Sequence, residues 1–89
     1  MSDKSFDRLR INMGDRLFSE GEPGDRAYIV QSGTLKITKT GDNDIQKTIA
    51  TVKAGAIIGE MALIDDQPRA ATATALEDTM LTVISAKAF

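Results

Sequence analysis

Seven glycines divide this chain into short segments, and their spacing limits the folds that it can form. They are Gly14, Gly21, Gly24, Gly33, Gly41, Gly55 and Gly59. Between them, short runs alternate apolar and polar residues, most clearly over residues 34–39, where Leu35 and Ile37 oppose Lys36 and Thr38. A period of two residues is that of a strand with one buried face. Many short strands joined by close turns are typical of β-sandwiches and β-barrels, so the sequence predicts a mainly-β fold.

The same pattern predicts where most strands and turns lie. The predicted strands cover residues 16–18, 27–30, 34–39, 45–52, 70–75 and 80–84. Between the first two, Glu22–Asp25 is expected to turn, with Pro23 fixing its own φ angle and Gly24 supplying a positive one. Residues 60–63 are good helix formers but too few to stand alone, which predicts a single helical turn held by tertiary contacts.

Composition excludes several classes of function. The 89 residues suffice for one small domain, and 13 acidic against 11 basic residues give a net charge of −2, without the basic patch typical of nucleic-acid binding. Cysteine and histidine are both absent, which removes disulfides, thiolate chemistry, the commonest metal ligand and the commonest general base. No apolar stretch could span a bilayer. We therefore expect a cytoplasmic, non-enzymatic domain without a metal site, nucleic-acid contact or membrane contact.

The segment GEMALIDDQPRAAT, residues 59–72, carries the chemistry of an anion and sugar site. Gly59 lets the backbone approach a ligand closely, and free N–H groups in the short helical turn that follows attract anions. The Arg69 guanidinium can make charge-assisted hydrogen bonds to a phosphate. Glu60 can accept a hydrogen bond from a hydroxyl group such as that of a ribose. The adjacent Asp65 and Asp66 are more typical of a solvated loop than of a metal site.

These motifs resemble the phosphate-binding cassette of cyclic-nucleotide-binding domains, which occur in kinase regulatory subunits, nucleotide-gated channels and bacterial transcription regulators. G-E-x-A-L and P-R-A-A-T both occur, at the separation seen in the kinase-regulatory type. The resemblance extends back through residues 17–25, 27–30 and 32–33 and covers about residues 14–84. It implies a single domain over residues 1–89, folded as an antiparallel β jelly-roll barrel over about residues 12–84, with a short helical turn in the cassette.

The resemblance also implies a role for each residue of the expected site. Arg69 would pair with the exocyclic phosphate oxygens, and Glu60 would accept from the ribose 2′-hydroxyl, helped by the backbone of Gly59. The backbone N–H groups of Ala62 and Ala70 would donate to the phosphate. The expected ligand-binding set is Ile49, Ala50, Val52, Ile58, Gly59, Glu60, Met61, Ala62, Arg69, Ala70 and Ala71, in which Ile49, Ala50, Val52 and Ile58 form the apolar wall. No catalytic residue, metal or cofactor is expected.

The residue after the arginine bears on the choice of base. Family members that prefer cGMP often carry threonine there, where its hydroxyl helps to hold guanine. This sequence has Ala70 at that position. The resemblance therefore favours cAMP as the ligand, with cGMP as the alternative.

Members of the family usually continue past the barrel with helices, the last of which closes over the base. The printed sequence ends at Phe89, and we expect it to lack those helices and the lid that they form. Ahead of the barrel, a short helical region over residues 6–9 is expected.

Three functions are compatible with the strand pattern of this chain. The first is a sensor module for a cyclic nucleotide within a larger signalling system, whose output domain or partner the sequence does not identify. The second is a degenerate barrel used for protein–protein interaction, which the Glu60 and Arg69 pair disfavours. The third is a cupin-type jelly-roll enzyme, which the absence of histidine disfavours.

Overall fold

The computed structural model describes residues 7–63 and 67–85, which form eight β-strands and two short 3₁₀ turns. The strands are β1 Asp7–Ile11, β2 Arg16–Phe18, β3 Arg26–Ser32, β4 Thr34–Thr40, β5 Gln46–Lys53, β6 Ile57–Ile58, β7 Thr72–Ala75 and β8 Thr79–Ser85. The 3₁₀ turns cover Asp42–Asp44 and Glu60–Leu63. The second of these is the single helical turn that the sequence predicts.

The strands form two four-stranded sheets in which every pairing is antiparallel. The first sheet has the order β1-β8-β3-β6, and the second has the order β2-β7-β4-β5. The predicted mainly-β, antiparallel roll with a short helical turn is therefore confirmed.

Apolar side chains from both sheets form one core. Leu35 of the second sheet and Leu81 and Val30 of the first are almost fully buried. The core cluster is Ile11, Tyr28, Val30, Leu35, Ile58, Ala73, Ala75 and Leu81. Such burial of aliphatic side chains between facing sheets supplies the main driving force for folding.

The first strand corrects the helical region expected over residues 6–9. Residues 7–11 pair with β8, with Leu9 opposite Leu81, and β1 begins ahead of the predicted start of the barrel near residue 12. The physical reason is the alternation of this segment: Leu9 and Ile11 pack with the core, whereas Arg8 and Arg10 are exposed. A period of two residues fits a strand and not a helix. Phe6 lies outside the described residues.

The turn between β2 and β3 differs from the prediction in its position and at its glycines. It covers residues 19–22, where the N–H of Glu22 donates to the carbonyl oxygen of Ser19 at 3.1 Å, and not residues 22–25. The residue with a positive φ is Gly21, at +87°, and not Gly24. Gly24 is instead required by close packing, because a Cβ atom there would overlap the guanidinium Nε of Arg69. The sequence indicates that this turn needs glycine. It does not show that Gly21 is needed for its positive φ and Gly24 for its lack of a Cβ atom.

Three bulges interrupt the pairings of the described strands and change which way side chains face. In the first sheet, Val30 is opposite Leu81 but Ser32 is opposite Met80, so β3 contains one extra residue. Between β2 and β7, Arg16 is opposite Thr74 but Phe18 is opposite Ala73, so β2 contains one extra residue. Between β4 and β5, Ile37 is opposite Ala50 but Thr38 is opposite Thr48, so Ile49 is the extra residue of β5. An extra residue reverses the alternation of side chains along its own strand, as bulges next to binding sites commonly do.

We expect Gly33→Ala to destabilise the fold more than Gly55→Ala. Both glycines have a positive φ, +97° and +96°, which costs an alanine about 1–2 kcal/mol. Around Gly55 the space is open, but a Cβ at Gly33 would lie 2.6 Å from the carbonyl oxygen of Asp78 and 2.7 Å from Cα of Thr79. Overpacking adds about 1–3 kcal/mol. Urea unfolding of the two variants measures the difference, and equal losses would contradict this close approach.

Candidate functional site

One cavity of about 560 Å³ opens between the second sheet and the segments that flank the Glu60–Leu63 turn. Its volume lies within the range of roughly 300–1,000 Å³ that is usual for small-molecule sites. Its lining residues are Phe18, Ile37, Ile57, Ile58, Gly59, Glu60, Met61, Gln67, Pro68, Arg69, Ala70 and Ala71. This cavity is called the pocket below.

The backbone of Arg69 is fixed by the loop that joins β2 and β3. Its N–H donates to the carbonyl oxygen of Glu22 at 2.8 Å, and its own carbonyl oxygen accepts from the N–H of Gly21, also at 2.8 Å. Nearby, the N–H of Glu20 donates to Oγ1 of Thr72, at the first position of β7. The segment that carries the arginine is therefore tied to a loop that is far from it in the sequence.

The side chain of Arg69 is buried, with 8% of the residue exposed. Its Nη1 donates to the carbonyl oxygen of Arg26 at 2.9 Å. Its Cζ lies 4.4 Å from the ring centroid of Phe18 and 5.8 Å from that of Tyr28, both within the range of a cation–π interaction. One donor group and one face of the guanidinium are thus occupied by the protein.

Two glycines leave room for this guanidinium. A Cβ atom at Gly59 would lie 2.6 Å from Nη1 of Arg69 and 3.2 Å from the carbonyl oxygen of Arg26. A Cβ atom at Gly24 would overlap Nε, as noted above. Gly59 also has a φ of +74° at the junction of β6 and the Glu60–Leu63 turn. Both positions exclude any larger side chain for steric reasons.

The charge of Arg69 has no protein counterion among the residues that the structure describes. Within that same part of the chain, its Nε is a buried donor without a hydrogen-bond partner. Buried polar atoms are nearly always hydrogen-bonded, and each exception in a native structure calls for an explanation. A buried cation with an unsatisfied donor in the wall of a pocket fits an anionic ligand such as a phosphate.

Glu60 lies on the pocket wall at the start of the Glu60–Leu63 turn, and its side chain is exposed. An ionised carboxylate only accepts hydrogen bonds, so it suits a hydroxyl group of a ligand. The pocket therefore combines one cation, one acceptor and an otherwise largely apolar wall.

Most of the residues expected in the site line the pocket. Those present are Ile58, Gly59, Glu60, Met61, Arg69, Ala70 and Ala71. Ala62 belongs to the Glu60–Leu63 turn, but its side chain lies outside the described part of the structure. Whether each of these residues contacts a ligand stays a prediction.

The apolar wall differs from the expectation, because Ile49, Ala50 and Val52 are not among the lining residues. They lie on β5, at the edge of the second sheet, and the pocket reaches only as far as Ile37 of the neighbouring β4. Ile49 is the bulged residue and is 57% exposed, whereas Val52 packs against the core. Whether these three residues contact a ligand stays a prediction.

Five lining residues were not anticipated: Phe18, Ile37, Ile57, Gln67 and Pro68. Gln67 and Pro68 directly precede Arg69, so their position within the motif was a usable signal. Ile37 and Ile57 follow from the pairing of the strands. Phe18 depends on the bulge in β2, for which the sequence has no signal.

The described residues contain neither a metal-binding cluster nor a membrane-spanning helix. Among residues 7–63 and 67–85, no three acidic, histidine or cysteine side chains are grouped closely enough to hold a metal ion. Asp65 and Asp66 lie outside those ranges. The helical segments within the same ranges are all too short to cross a bilayer.

Comparison with known proteins identifies the family. The model of the cyclic nucleotide-binding domain matches residues 8–89. The regulatory subunit of the cAMP-dependent protein kinase of Yarrowia lipolytica is 43% identical over 65 residues, which are 73% of this chain and 16% of that protein. A cGMP-dependent protein kinase of Caenorhabditis briggsae is 33% identical over 81 residues, which are 91% of this chain and 10% of that protein. The chain thus spans less than a fifth of either kinase protein.

A solved structure supports the same assignment. The catabolite activator protein of Thermus thermophilus matches with a TM-score of 0.90 and 32% identity, over 93% of this chain and 39% of that one. The match of the family model over almost the entire sequence agrees with the two sheets and the pocket described above. The chain therefore belongs to the cyclic nucleotide-binding domain family.

Proposed function

We propose that this chain binds cAMP in the pocket and acts as the sensor module of a larger signalling system. The observation that carries the proposal is Arg69, a buried cation on the pocket wall with no counterion and an unsatisfied Nε among the described residues. A ligand phosphate would supply the missing negative charge and would accept hydrogen bonds from the guanidinium.

The other ligand contacts follow from the resemblance to the family. The exocyclic phosphate oxygens would accept from the guanidinium of Arg69 and from the backbone N–H groups of Ala62 and Ala70. The carboxylate of Glu60 would accept from the ribose 2′-hydroxyl. Ile37, Ile57 and Met61 line the pocket and offer apolar surface to the ribose and base. Ile57 and Met61 are each more than half exposed, so a bound base would cover apolar surface that now faces water.

The choice of cAMP over cGMP rests on Ala70. This residue lines the pocket and is exposed, so its side chain is accessible to a ligand there. Alanine has no hydroxyl to offer to guanine, whereas family members that prefer cGMP often have threonine at this position. The relatives include kinases named for either nucleotide, so their names do not decide between the two.

We also propose that the module is regulatory and not catalytic, and that it works in the cytoplasm. The sequence has no histidine or cysteine to supply the commonest acid–base and nucleophilic groups, and it has no basic patch for nucleic acid. The related kinases are much longer than this chain, which agrees with an output function carried by other sequence. Binding of the nucleotide would shift the population of the module toward its nucleotide-bound conformation, and the output would respond to that shift.

Calorimetric titration of the 89-residue chain with cAMP tests the proposal, with 5′-AMP as the comparison ligand. We expect saturable binding of cAMP, and a loss of at least about a hundredfold in affinity in Arg69→Ala, because several charge-assisted hydrogen bonds are removed. Arg8→Ala is the matched control, since Arg8 is an exposed arginine on β1, and it should bind as the parent does. Thermal melting confirms that each variant is folded. Absence of cAMP binding by the parent would contradict the proposal and favour a barrel used for protein–protein interaction.

Ala70→Thr tests the basis for the choice of nucleotide. The added hydroxyl can hydrogen-bond to guanine, and one such bond is worth about 1–2 kcal/mol. We therefore expect the affinity for cGMP relative to cAMP to rise about fivefold to thirtyfold. Competition of both nucleotides against a fluorescent cAMP analogue measures the ratio. An unchanged ratio would remove Ala70 as the determinant of nucleotide choice.

Gly24→Ala tests whether the β2–β3 loop shapes the site. The new Cβ would overlap Arg69, so the guanidinium must move, and we expect a loss of about tenfold or more in affinity for cAMP. Gly41→Ala is the control, because its Cβ would make only ordinary contacts, the nearest at 3.5 Å, and Gly41 lies outside the pocket lining. Equal affinities of the two variants would show that Arg69 does not need this close packing.

A further inference from the structure

We propose that Phe18 is the positioning residue that holds the guanidinium of Arg69 in place for the ligand phosphate. The inference rests on the proposed function and adds to it a residue outside the cassette. Phe18 belongs to β2 and lies 51 positions before Arg69 in the sequence. Four observations support it, and each concerns a different contact.

The bulge in β2 is what brings Phe18 to the pocket. In a regular strand, Phe18 would share a face with Arg16, two residues earlier. Because β2 has one extra residue between them, the alternation is reversed. Arg16 is exposed, whereas Phe18 is half-buried and lines the pocket. The irregularity therefore has a definite result: it places an aromatic ring beside Arg69.

The ring of Phe18 provides a face for the guanidinium. The distance of 4.4 Å from Cζ of Arg69 to the ring centroid is well within the limit of about 6 Å for a cation–π contact. The guanidinium is largely removed from water, which strengthens this attraction relative to an exposed pair. Phe18 thus stabilises the charged group without using any of its N–H donors.

The other sides of the guanidinium are limited by the backbone. Nη1 is held by the carbonyl oxygen of Arg26, and Gly24 and Gly59 pack against the group too closely for any side chain to intervene. These contacts restrict movement but do not provide a favourable flat surface. The ring of Phe18 supplies that surface and occupies none of the N–H donors of the group.

Phe18 is itself held in position by Tyr28. The two rings are stacked with centroids 6.1 Å apart and an interplanar angle of 27°, an arrangement typical of favourable aromatic pairs. Tyr28 is buried in the core on β3 and pairs with Ile58, directly before Gly59. The core therefore supports the ring, and the ring supports the arginine.

The test compares Phe18→Leu with Phe18→Tyr in the 89-residue chain. Leucine keeps an apolar side chain but removes the π face, and tyrosine keeps the ring. Calorimetry with cAMP should give a loss of about three- to tenfold in affinity for Phe18→Leu and parental affinity for Phe18→Tyr. Melting temperatures of both variants exclude unfolding as the cause of a weaker affinity.

A nuclear magnetic resonance measurement on the free protein provides a second readout that a merely structural role would not change. Stacking on the ring shifts the Nε–H proton signal of Arg69 upfield through the ring current. This shift should persist in Phe18→Tyr and become smaller in Phe18→Leu, where only the more distant ring of Tyr28 remains.

The outcomes separate this inference from the proposed function. If the parent binds cAMP but Phe18→Leu binds it equally tightly, the role of Phe18 is overturned and the function stands. Equal weakening of the leucine and tyrosine variants would also overturn it, because the ring would then not be the relevant feature. If the parent does not bind cAMP, the proposed function fails, while the proton shift still tests the stacking of Phe18 on Arg69.

Discussion

The burial of the Arg69 guanidinium without a described carboxylate partner is the constraint on which the site depends. Removing a cation from water is costly unless its charge and donors are compensated. In this fold the compensation is partial: one carbonyl oxygen accepts from Nη1, and the ring of Phe18 faces the planar group. The N–H donors of the guanidinium that remain without a partner are available to a ligand. The cost of burying the positive charge favours an anionic ligand.

The surrounding fold supports this arrangement through local irregularities and not through its regular parts. The two sheets provide a rigid frame, but the site itself is formed at a bulge in β2, at a turn from β6 and at the β2–β3 loop. Glycine is required at the last two because the backbone must approach the guanidinium closely. The site is thus formed where a bulge interrupts the alternation of side chains and where turns bring the backbone close to the guanidinium. This is expected when a regular scaffold carries a binding site.

The regular parts of the fold could be predicted from the sequence, because a two-residue alternation is directly visible in it. The pattern around Leu35 and Ile37 predicted β4 almost to the residue, and the G-E-x-A-L and P-R-A-A-T motifs pointed to Arg69 and Glu60 on the pocket wall. Bulges could not be predicted, since one unpaired residue changes the register without changing the local pattern. For that reason Phe18 was not expected at the pocket, whereas Ile49 was expected there from the family resemblance. Residues 6–9 were assigned to a helix because a family expectation overrode their own alternation.

The most direct test of the account follows the guanidinium N–H signals of Arg69 in ¹⁵N-labelled protein while cAMP is added, with adenosine as the uncharged comparison. Acceptance of a guanidinium hydrogen by a phosphate oxygen should move that proton signal strongly downfield in proportion to the bound fraction. Adenosine lacks the phosphate and should leave the signal close to its free position. A response to cAMP equal to that to adenosine, or no response at saturation, would contradict the claim that this buried arginine is the phosphate-binding group.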